Sequence, residues 1–207
     1  MLRIISALGF MLFFHSVGHS QGQQPLTHAQ TIAAFQQELN AEYRDPQRSP
    51  LPAAARKSFQ GLPFFPVNDS LLVTATFVRD STAQPFLIRT STNQPRPYRK
   101  YGELRFLLHG KPQRLSVYQS LALLKVPTYA DYLMVPFTDL TNGFGSYGGG
   151  RYIDLRFADV KTGKVLLDFN KAYNPYCAYS TGYSCPIPPA ENQLSVAIRA
   201  GVMGNDH

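Results

Sequence analysis

The spacing of apolar residues follows a helical period at the start of the chain. Between Thr27 and Tyr43 one apolar stripe recurs every three to four residues: Ile32, Phe35, Leu39 and Tyr43. Thr27 with Gln30 forms a capping-box pattern at the start of this helix. Asp45-Pro46 ends the helix, because the residue before a proline disfavours the helical conformation. Ser49-Pro50 offers the cap and first-turn residues of a second, short helix. We therefore predict two N-terminal helices.

After Pro66 the pattern alternates between apolar and polar residues, which is typical of half-buried strands. Eight strands are predicted, at 71–79, 85–92, 103–109, 113–119, 132–137, 151–157, 164–169 and 193–200. The turn Gly110-Lys111-Pro112 makes the third and fourth a hairpin. The pattern predicts a mainly β, single-domain β-sandwich or partly open barrel with an N-terminal helix and a second short helix.

The first residues have the features of a secretory signal peptide. Arg3 precedes an apolar stretch that is too short to span a bilayer, and Gly18-His19-Ser20 offers a cleavage site. We assign residues 1–20 to a signal peptide, 21–26 to a flexible lead-in, 27–203 to one globular domain and 204–207 to a flexible tail. The predicted localisation is periplasmic or secreted, without stable membrane insertion.

Composition agrees with a globular domain, because 44% of the 207 residues are apolar and 16% are charged.

The net charge of +7 is concentrated between Arg89 and Lys125, where eight basic residues stand against one acid, Glu103. Their alternating positions favour a solvated sheet face. A surface for anionic polymers around Arg96, Arg99 and Lys100 is the alternative. No nucleic-acid partner is expected for an exported protein.

The two cysteines, Cys177 and Cys185, are separated by seven residues in a loop rich in Pro, Tyr and Gly. An oxidising compartment favours a disulfide between them. A reactive thiol or half of a metal site is the alternative. Two thiols without a nearby histidine make a poor zinc site, so no metal is predicted.

A glycine-rich run follows the fifth predicted strand, from Thr141 to Gly150. It lacks the Gly-Lys-Ser/Thr ending of a nucleotide P-loop and precedes a strand instead of a helix. A turn with positive φ at several positions is favoured, leaving a loop beside Arg151 that closes over a small anion as the alternative. Asp139 and Asn142 favour an Asx-turn, and an irregular calcium site is the alternative.

Residues 168–177 hold the densest group of reactive side chains. Asp168 and Asn170 lie on one face of the end of a strand, and Asp168 is a candidate general base beside Lys171, with Tyr173 or Tyr179 as the proton donor. The alternative is a structural role, in which Asp168 pairs with Arg151 or Arg199 to brace the loop. Neither His28 nor His109 has a supporting catalytic motif.

Long strings of the sequence resemble one known family. They are Tyr147-Gly-Gly-Gly150-Arg151-Tyr152, Asp168-Phe-Asn-Lys-Ala-Tyr-Asn-Pro-Tyr-Cys177-Ala-Tyr179 and Ser184-Cys185-Pro-Ile-Pro-Pro-Ala-Glu191-Asn192. On these strings the chain resembles the domain-of-unknown-function 1684 family of bacterial and archaeal proteins. The resemblance implies no activity. No cofactor is predicted from the sequence. The family's motif continues with a glutamate where this chain has Val202, so a role for that carboxylate is not implied here.

Two functional hypotheses follow. The first is a binding or structural domain for a small polar or anionic ligand or a carbohydrate, because amides and tyrosines cluster without a convincing catalytic set. Its candidate binding residues are Asp139, Asn142, Tyr147, Arg151, Tyr152, Asn170, Asn174, Glu191, Asn192 and Arg199. The second is a hydrolase or lyase-like enzyme with Asp168, Lys171 and Tyr173 as catalytic residues and Arg151 as the anion holder.

Overall fold

A computed structural model describes residues 25–204, so the predicted signal peptide and the end of the tail lie outside the described residues. The helices are α1 (His28–Arg44), α2 (Ala53–Lys57) and α3 (Phe157–Val160). The strands are β1 (Leu72–Arg79), β2 (Phe86–Ile88), β3 (Arg96–Leu108), β4 (Lys111–Ser120), β5 (Tyr132–Phe137), β6 (Arg151–Arg156) and β7 (Lys164–Asp168). Single turns of 3₁₀ helix lie between several of them.

The strands form one antiparallel sheet that curls into a half-barrel. Its order is β6-β5-β4-β3-β1-β7, and β2 pairs with β3 outside this path. The mainly β fold class is therefore confirmed, and of its two predicted forms the partly open barrel is the one observed. No helix among residues 25–204 has both the length and the apolar character needed to cross a bilayer.

The predicted hairpin is confirmed as β3 and β4, whose pairing extends from Leu108↔Lys111 to Tyr98↔Ser120. His109 (φ 50°) and Gly110 (φ 74°) form its two-residue turn, and positive φ at both positions is what a type I′ turn requires. Strand β3 begins seven residues earlier than predicted, at Arg96, because its first residues pair with β2.

The two faces of the sheet carry different clusters, since side chains alternate between faces along a strand. One face holds the main core, which includes Leu104, Leu115, Leu133, Ile153 and Leu167. The opposite face holds Tyr98, Tyr118, Met134 and Tyr152, with Tyr132 and Tyr173 packed against them. The chain therefore presents tyrosines on the face that is not the core.

Helix α1 begins as predicted. The hydroxyl of Thr27 accepts a hydrogen bond from the backbone N–H of Gln30, and the Gln30 side chain accepts one from the backbone N–H of Thr27. The start of the second helix was wrongly predicted, because α2 begins at Ala53. Ser49 instead donates to the carbonyl of Tyr43 and accepts from the backbone N–H of Leu51, which stabilises the turn before α2.

The predicted strand at 193–200 is also wrong. Leu194, Ile198 and Ala200 are buried at alternating positions, which produced the strand pattern in the sequence. However, this segment lies alongside the loop after β5 and forms its hydrogen bonds with that loop instead of with the edge of a strand. Leu194 donates to the carbonyl of Thr138, and Ile198 donates to the carboxylate of Asp139. An extended segment with one buried face thus has the strand period without a strand partner.

Candidate functional site

A cavity of about 790 Å³ lies between α1 and the tyrosine-bearing face of the sheet. This volume is within the range of small-molecule sites in proteins. The helix contributes Phe35, Glu38, Leu39 and Glu42, whose i, i+3, i+4, i+7 spacing places them on one face. The sheet and the segments after it contribute Tyr98, Tyr129, Tyr132, Met134, Tyr152, Asp154, Arg156, Tyr173, Pro175, Tyr176, Cys185 and Pro186, together with Leu123.

Strands β5 and β6 place the floor of this cavity. Met134 pairs with Asp154 and Tyr132 pairs with Arg156 in the antiparallel register. Alternation along β6 puts Tyr152 on the same face as Asp154, while Ile153 and Leu155 point into the main core. Tyr173 reaches this floor because its backbone exchanges two hydrogen bonds with Tyr152.

Asp154 is the polar centre of the floor. Its Oδ1 accepts hydrogen bonds from the hydroxyls of Tyr132 (2.7 Å) and Tyr173 (2.6 Å). The side chain is accessible from the cavity, but protein surrounds it on the other sides, and this desolvation raises the pKa of Asp154 although the two phenols oppose the rise. The same desolvation, with the nearby carboxylate, raises the pKa of both phenols, so they remain donors.

The cavity carries more negative than positive charge. Glu42 accepts a hydrogen bond from the hydroxyl of Tyr176, and Glu38 lies at the exposed rim. Within residues 25–204, Glu38, Glu42 and Asp154 form no ion pair. Arg156 also lines the cavity, but its guanidinium pairs with Asp131 at 2.7 Å. Three carboxylates therefore face a cavity whose single cationic lining residue already has a counter-ion.

A second concave surface, of about 840 Å³, lies across β1, β3 and β4. Its lining includes Glu103 and Arg105, which pair with each other at 2.7 Å, and the exposed Leu107. Glu191 also lines it and accepts a hydrogen bond from the hydroxyl of Tyr118 at 2.6 Å. Because its charged groups are largely exposed or already paired, this surface is a weaker candidate than the tyrosine-lined cavity.

The predicted anion holder, Arg151, is completely buried. Its guanidinium donates to Asp139 at 2.8 Å and to the carbonyls of Ile198 and Ala200 at 2.8 and 2.5 Å. The predicted pairing of Arg151 with Asp168 is therefore wrong, because Asp139 is the partner. Arg151 has no surface that a ligand could reach in this structure, and it binds the C-terminal segment to β6.

Asp168 and Asn170 brace the end of β7. Asp168 accepts from the backbone N–H of Asn170 at 3.0 Å and from the ring of His28 at 2.8 Å. Asn170 exchanges hydrogen bonds with the backbone of Asn68. Of the three residues predicted to be catalytic, Tyr173 lines the tyrosine-lined cavity, whereas Asp168 and Lys171 lie outside its lining. The structure does not bring the three to one cavity.

The other predicted binding residues have separate positions. Asn192 is buried and hydrogen bonds to the backbone of Ser116 and Pro136, which bridges β4 and β5 where their direct pairing is limited to Tyr118↔Met134. Asn142 closes the glycine-rich loop by donating to the carbonyl of Tyr147. Asn174 donates to the carbonyl of Met203, and Arg199 is exposed. Only Tyr152 of this set lines the cavity.

The oxygens of Asp139 are used within the protein. Oδ1 accepts from the backbone N–H of Thr141 at 2.8 Å and from its hydroxyl at 2.6 Å, while Oδ2 accepts from Arg151. The predicted Asx-turn is thus present. Among residues 25–204 no group of three or more His, Cys, Asp or Glu side chains is arranged to hold a metal ion.

The two cysteines are neighbouring free thiols, so the predicted disulfide is not formed in the structure. The backbone N–H of Cys177 donates to the sulfur of Cys185 at 3.3 Å. A hydrogen bond from the Cys185 thiol lowers the pKa of Cys177 to about 6, and the pKa of Cys185 is raised by the same interaction. Tyr147 lies beside them, with its hydroxyl 4.0 Å from the sulfur of Cys177.

Asp154, Tyr132, Glu42 and Tyr176 were not identified from the sequence as site residues. The only available signal was the alternation in β6, which places Asp154 on the same face as the predicted site residue Tyr152. A single acid on a strand is also typical of a solvated sheet face, so the alternation in β6 did not show whether Asp154 belongs to a site or to a solvated face. Glu42 belongs to a helix whose approach to the sheet cannot be obtained from local pattern.

Comparison with known proteins gives the family but no activity. The model of a family described as "Protein of unknown function (DUF1684)" matches residues 57–203. The chain belongs to this family. No curated protein matches it.

A solved structure is also similar. The solution NMR structure of the uncharacterised protein from gene locus rrnAC0354 of Haloarcula marismortui is 32% identical, with a TM-score of 0.66. The match covers 86% of this DUF1684 chain and 95% of the archaeal chain. Because 86% of the chain exceeds the span from residue 57 to the C-terminus, the match extends into the N-terminal helical segment. The α1 that closes the cavity is thus included, at least in part, in the shared fold.

Proposed function

We propose that this DUF1684 protein is an exported small-ligand-binding domain and that its ligand occupies the tyrosine-lined cavity. The observation that carries the proposal is Asp154, a carboxylate held by the phenols of Tyr132 and Tyr173 yet open to about 790 Å³ of space. A binding site of this kind combines apolar and aromatic walls with a few polar groups that fix the ligand. The sequence predicted a site near the glycine-rich loop and residues 168–177, and of these the cavity lining includes Tyr173, Pro175 and Tyr176 but no residue of the glycine-rich loop.

Binding is favoured over catalysis by the state of the cavity's polar groups. The pKa values of the Tyr132 and Tyr173 phenols are raised well above the ordinary value, so both stay protonated and donate to Asp154. Asp168 and Lys171, which the enzyme hypothesis needs beside Tyr173, are outside the cavity lining. The hydrogen bonds to Asp154 therefore serve to orient the carboxylate.

The charge of the cavity narrows the ligand class. Glu38, Glu42 and Asp154 oppose the entry of an anion, and Arg156 is already neutralised by Asp131. This disfavours the anionic ligand that the sequence suggested. Tyrosine faces and carboxylate acceptors suit two other classes, neutral polyols such as sugars and positively charged organic molecules.

A thermal-shift screen of the mature chain against sugars, organic cations and anions tests the proposal, because a ligand that binds only the folded state raises the melting temperature. We expect stabilisation by at least one class, and loss of that stabilisation in Asp154→Asn and Tyr173→Phe. Glu103→Gln is the matched control, since it removes a carboxylate from the other concave surface. Stabilisation that persists in Asp154→Asn would place the ligand elsewhere.

Export is proposed on the sequence features of residues 1–20. Expression of the full chain in a bacterium should yield a secreted or periplasmic product whose first residue is Gln21, as N-terminal sequencing can determine.

In that compartment we propose that Cys177 and Cys185 are oxidised to a disulfide, since their sulfur atoms are neighbours. A mature product with two alkylatable thiols would contradict the second proposal.

A further inference from the structure

We infer that the ligand of the tyrosine-lined cavity is an organic cation, a substituted ammonium group whose alkyl substituents contact the rings while its charge faces the carboxylates. This inference rests on the proposed function and names its ligand class. Three independent features of the cavity support it.

The first feature is the arrangement of the aromatic rings. Tyr129 and Tyr132 have centroids 6.1 Å apart and an interplanar angle of 89°. Tyr152 and Tyr173 form a second pair, with centroids 6.0 Å apart and an angle of 87°. Both pairs are therefore edge-to-face, and the faces of tyrosine rings are negative because of the ring quadrupole. Rings arranged in this way line the sites that bind quaternary ammonium groups in proteins.

The second feature is that two of these rings, those of Tyr129 and Tyr132, already contact a cation of the protein itself. The guanidinium carbon of Arg156 lies 5.8 Å from the ring centroid of Tyr129 and 5.7 Å from that of Tyr132. Its charge is balanced by Asp131, and it also donates to the carbonyl of Thr128 at 3.0 Å. Arg156 therefore has its counter-ion in Asp131 and forms no ion pair with a carboxylate of the cavity, although its charge also acts on Asp154.

The third feature is the uncompensated negative charge. Glu38 and Glu42 are four residues apart on α1, where like charges destabilise a helix. Asp154 faces them from the sheet across the same cavity. This negative charge would attract a cation into the cavity, whereas it would not act on a neutral sugar.

Isothermal titration calorimetry on the mature chain tests the inference with a matched pair of probes. Choline carries a trimethylammonium group, and 3,3-dimethylbutan-1-ol has the same shape without the charge. We expect choline to bind at least about tenfold more tightly than the alcohol, because cation–π contacts and the carboxylates act only on the charged probe. Equal affinities, or no heat of binding with choline, would overturn the inference.

Variants locate the binding. Asp154→Asn and Tyr129→Leu should each weaken choline binding about tenfold, whereas the control Glu103→Gln should leave it unchanged. Tyr132→Phe keeps the ring and should weaken binding less than Tyr129→Leu. Circular dichroism of each variant confirms that it is folded.

Glucose separates the two proposals. If glucose binds in a manner lost in Asp154→Asn and choline does not bind, the cavity is a ligand site but the cation inference fails. If no small molecule binds there, both fail.

Discussion

Arg151 Nη2 lies 2.8 Å from Asp139 Oδ2, and neither side chain is accessible to solvent. Around this pair the chain also supplies Thr141 and the carbonyls of Ile198 and Ala200 as hydrogen-bond partners. Desolvation lowers the pKa of Arg151, and the charge of Asp139 opposes that effect. The pair is therefore the main polar connection between β6, the loop after β5 and the C-terminal segment.

Arg151→Met should destabilise the fold by about 3–5 kcal/mol, because it leaves the carboxylate of Asp139 buried without its counter-ion. Urea unfolding of the mature chain measures the loss. The control is Arg105→Met, which removes an exposed ion pair with Glu103 and should cost less than about 1 kcal/mol. Similar losses in both variants would show that the buried pair has no special role.

His28 joins the start of α1 to the end of β7. Its ring nitrogens lie 2.6 Å from Asp69 Oδ1 and 2.8 Å from Asp168 Oδ2, and these hydrogen bonds, that of Asp69 first, raise its pKa above 6.5. A raised folded-state pKa gives stability that is complete below 6.5 and is lost as the pH rises through the folded value.

The free energy of unfolding should therefore fall by about 1 kcal/mol as the pH rises past this range. His28→Asn should remove that pH dependence, while His109→Asn, an exposed histidine in the β3–β4 turn, should retain it. The measurement is urea unfolding well below and well above pH 6.5. A wild-type protein that gains stability as the pH rises through this range would contradict the prediction.

Asp154→Asn should fold at least as stably as the wild-type chain near neutral pH. Because desolvation raises the pKa of Asp154 above 3.8, its ionised form opposes folding once the pH exceeds the folded value, and the groups around it (Tyr132, Tyr173, Arg156 and Glu42) do not reverse this. The amide oxygen of an asparagine can still accept from both phenols.

Thermal unfolding near neutral pH, without added ligand, checks this prediction. Tyr173→Phe provides the comparison, because it keeps the carboxylate and removes one of its donors, so it should be less stable than the wild type. A marked loss of stability in Asp154→Asn would show that the carboxylate is structural.

In the reduced protein, Cys177 should react with iodoacetamide before Cys185. The hydrogen bond from Cys185 lowers the pKa of Cys177 to about 6, so it is largely thiolate at neutral pH, whereas Cys185 stays protonated. Mass spectrometry of digested protein gives the two rates. Cys185→Ala should slow the labelling of Cys177 near pH 7, since the lowering interaction is lost. Equal rates at both cysteines would contradict the assignment.

Sequence reasoning succeeded where one local pattern sufficed. The cap formed by Thr27 and Gln30, the β3–β4 hairpin and the mainly β class depend on neighbours within a few residues. The hairpin turn itself lies at His109-Gly110 instead of the predicted Gly110-Lys111-Pro112. Sequence reasoning failed for residues 193–200, since burial of every second residue produces the strand period whether or not the segment is hydrogen-bonded to a neighbouring strand. It also assigned Arg151 to an anion, because the sequence does not show which carboxylate a buried arginine meets.

The sequence by itself determined the elements of this protein, because helical and strand periods and turn residues act over short distances. Only the tertiary structure decided which polar groups meet. His28 contacts Asp168 across 140 positions of the chain, and the register of β5 and β6 together with the position of α1 brings Tyr132, Asp154 and Glu42 around one cavity. Such contacts depend on sheet curvature and on helix docking, both of which arise from the packing of the whole core.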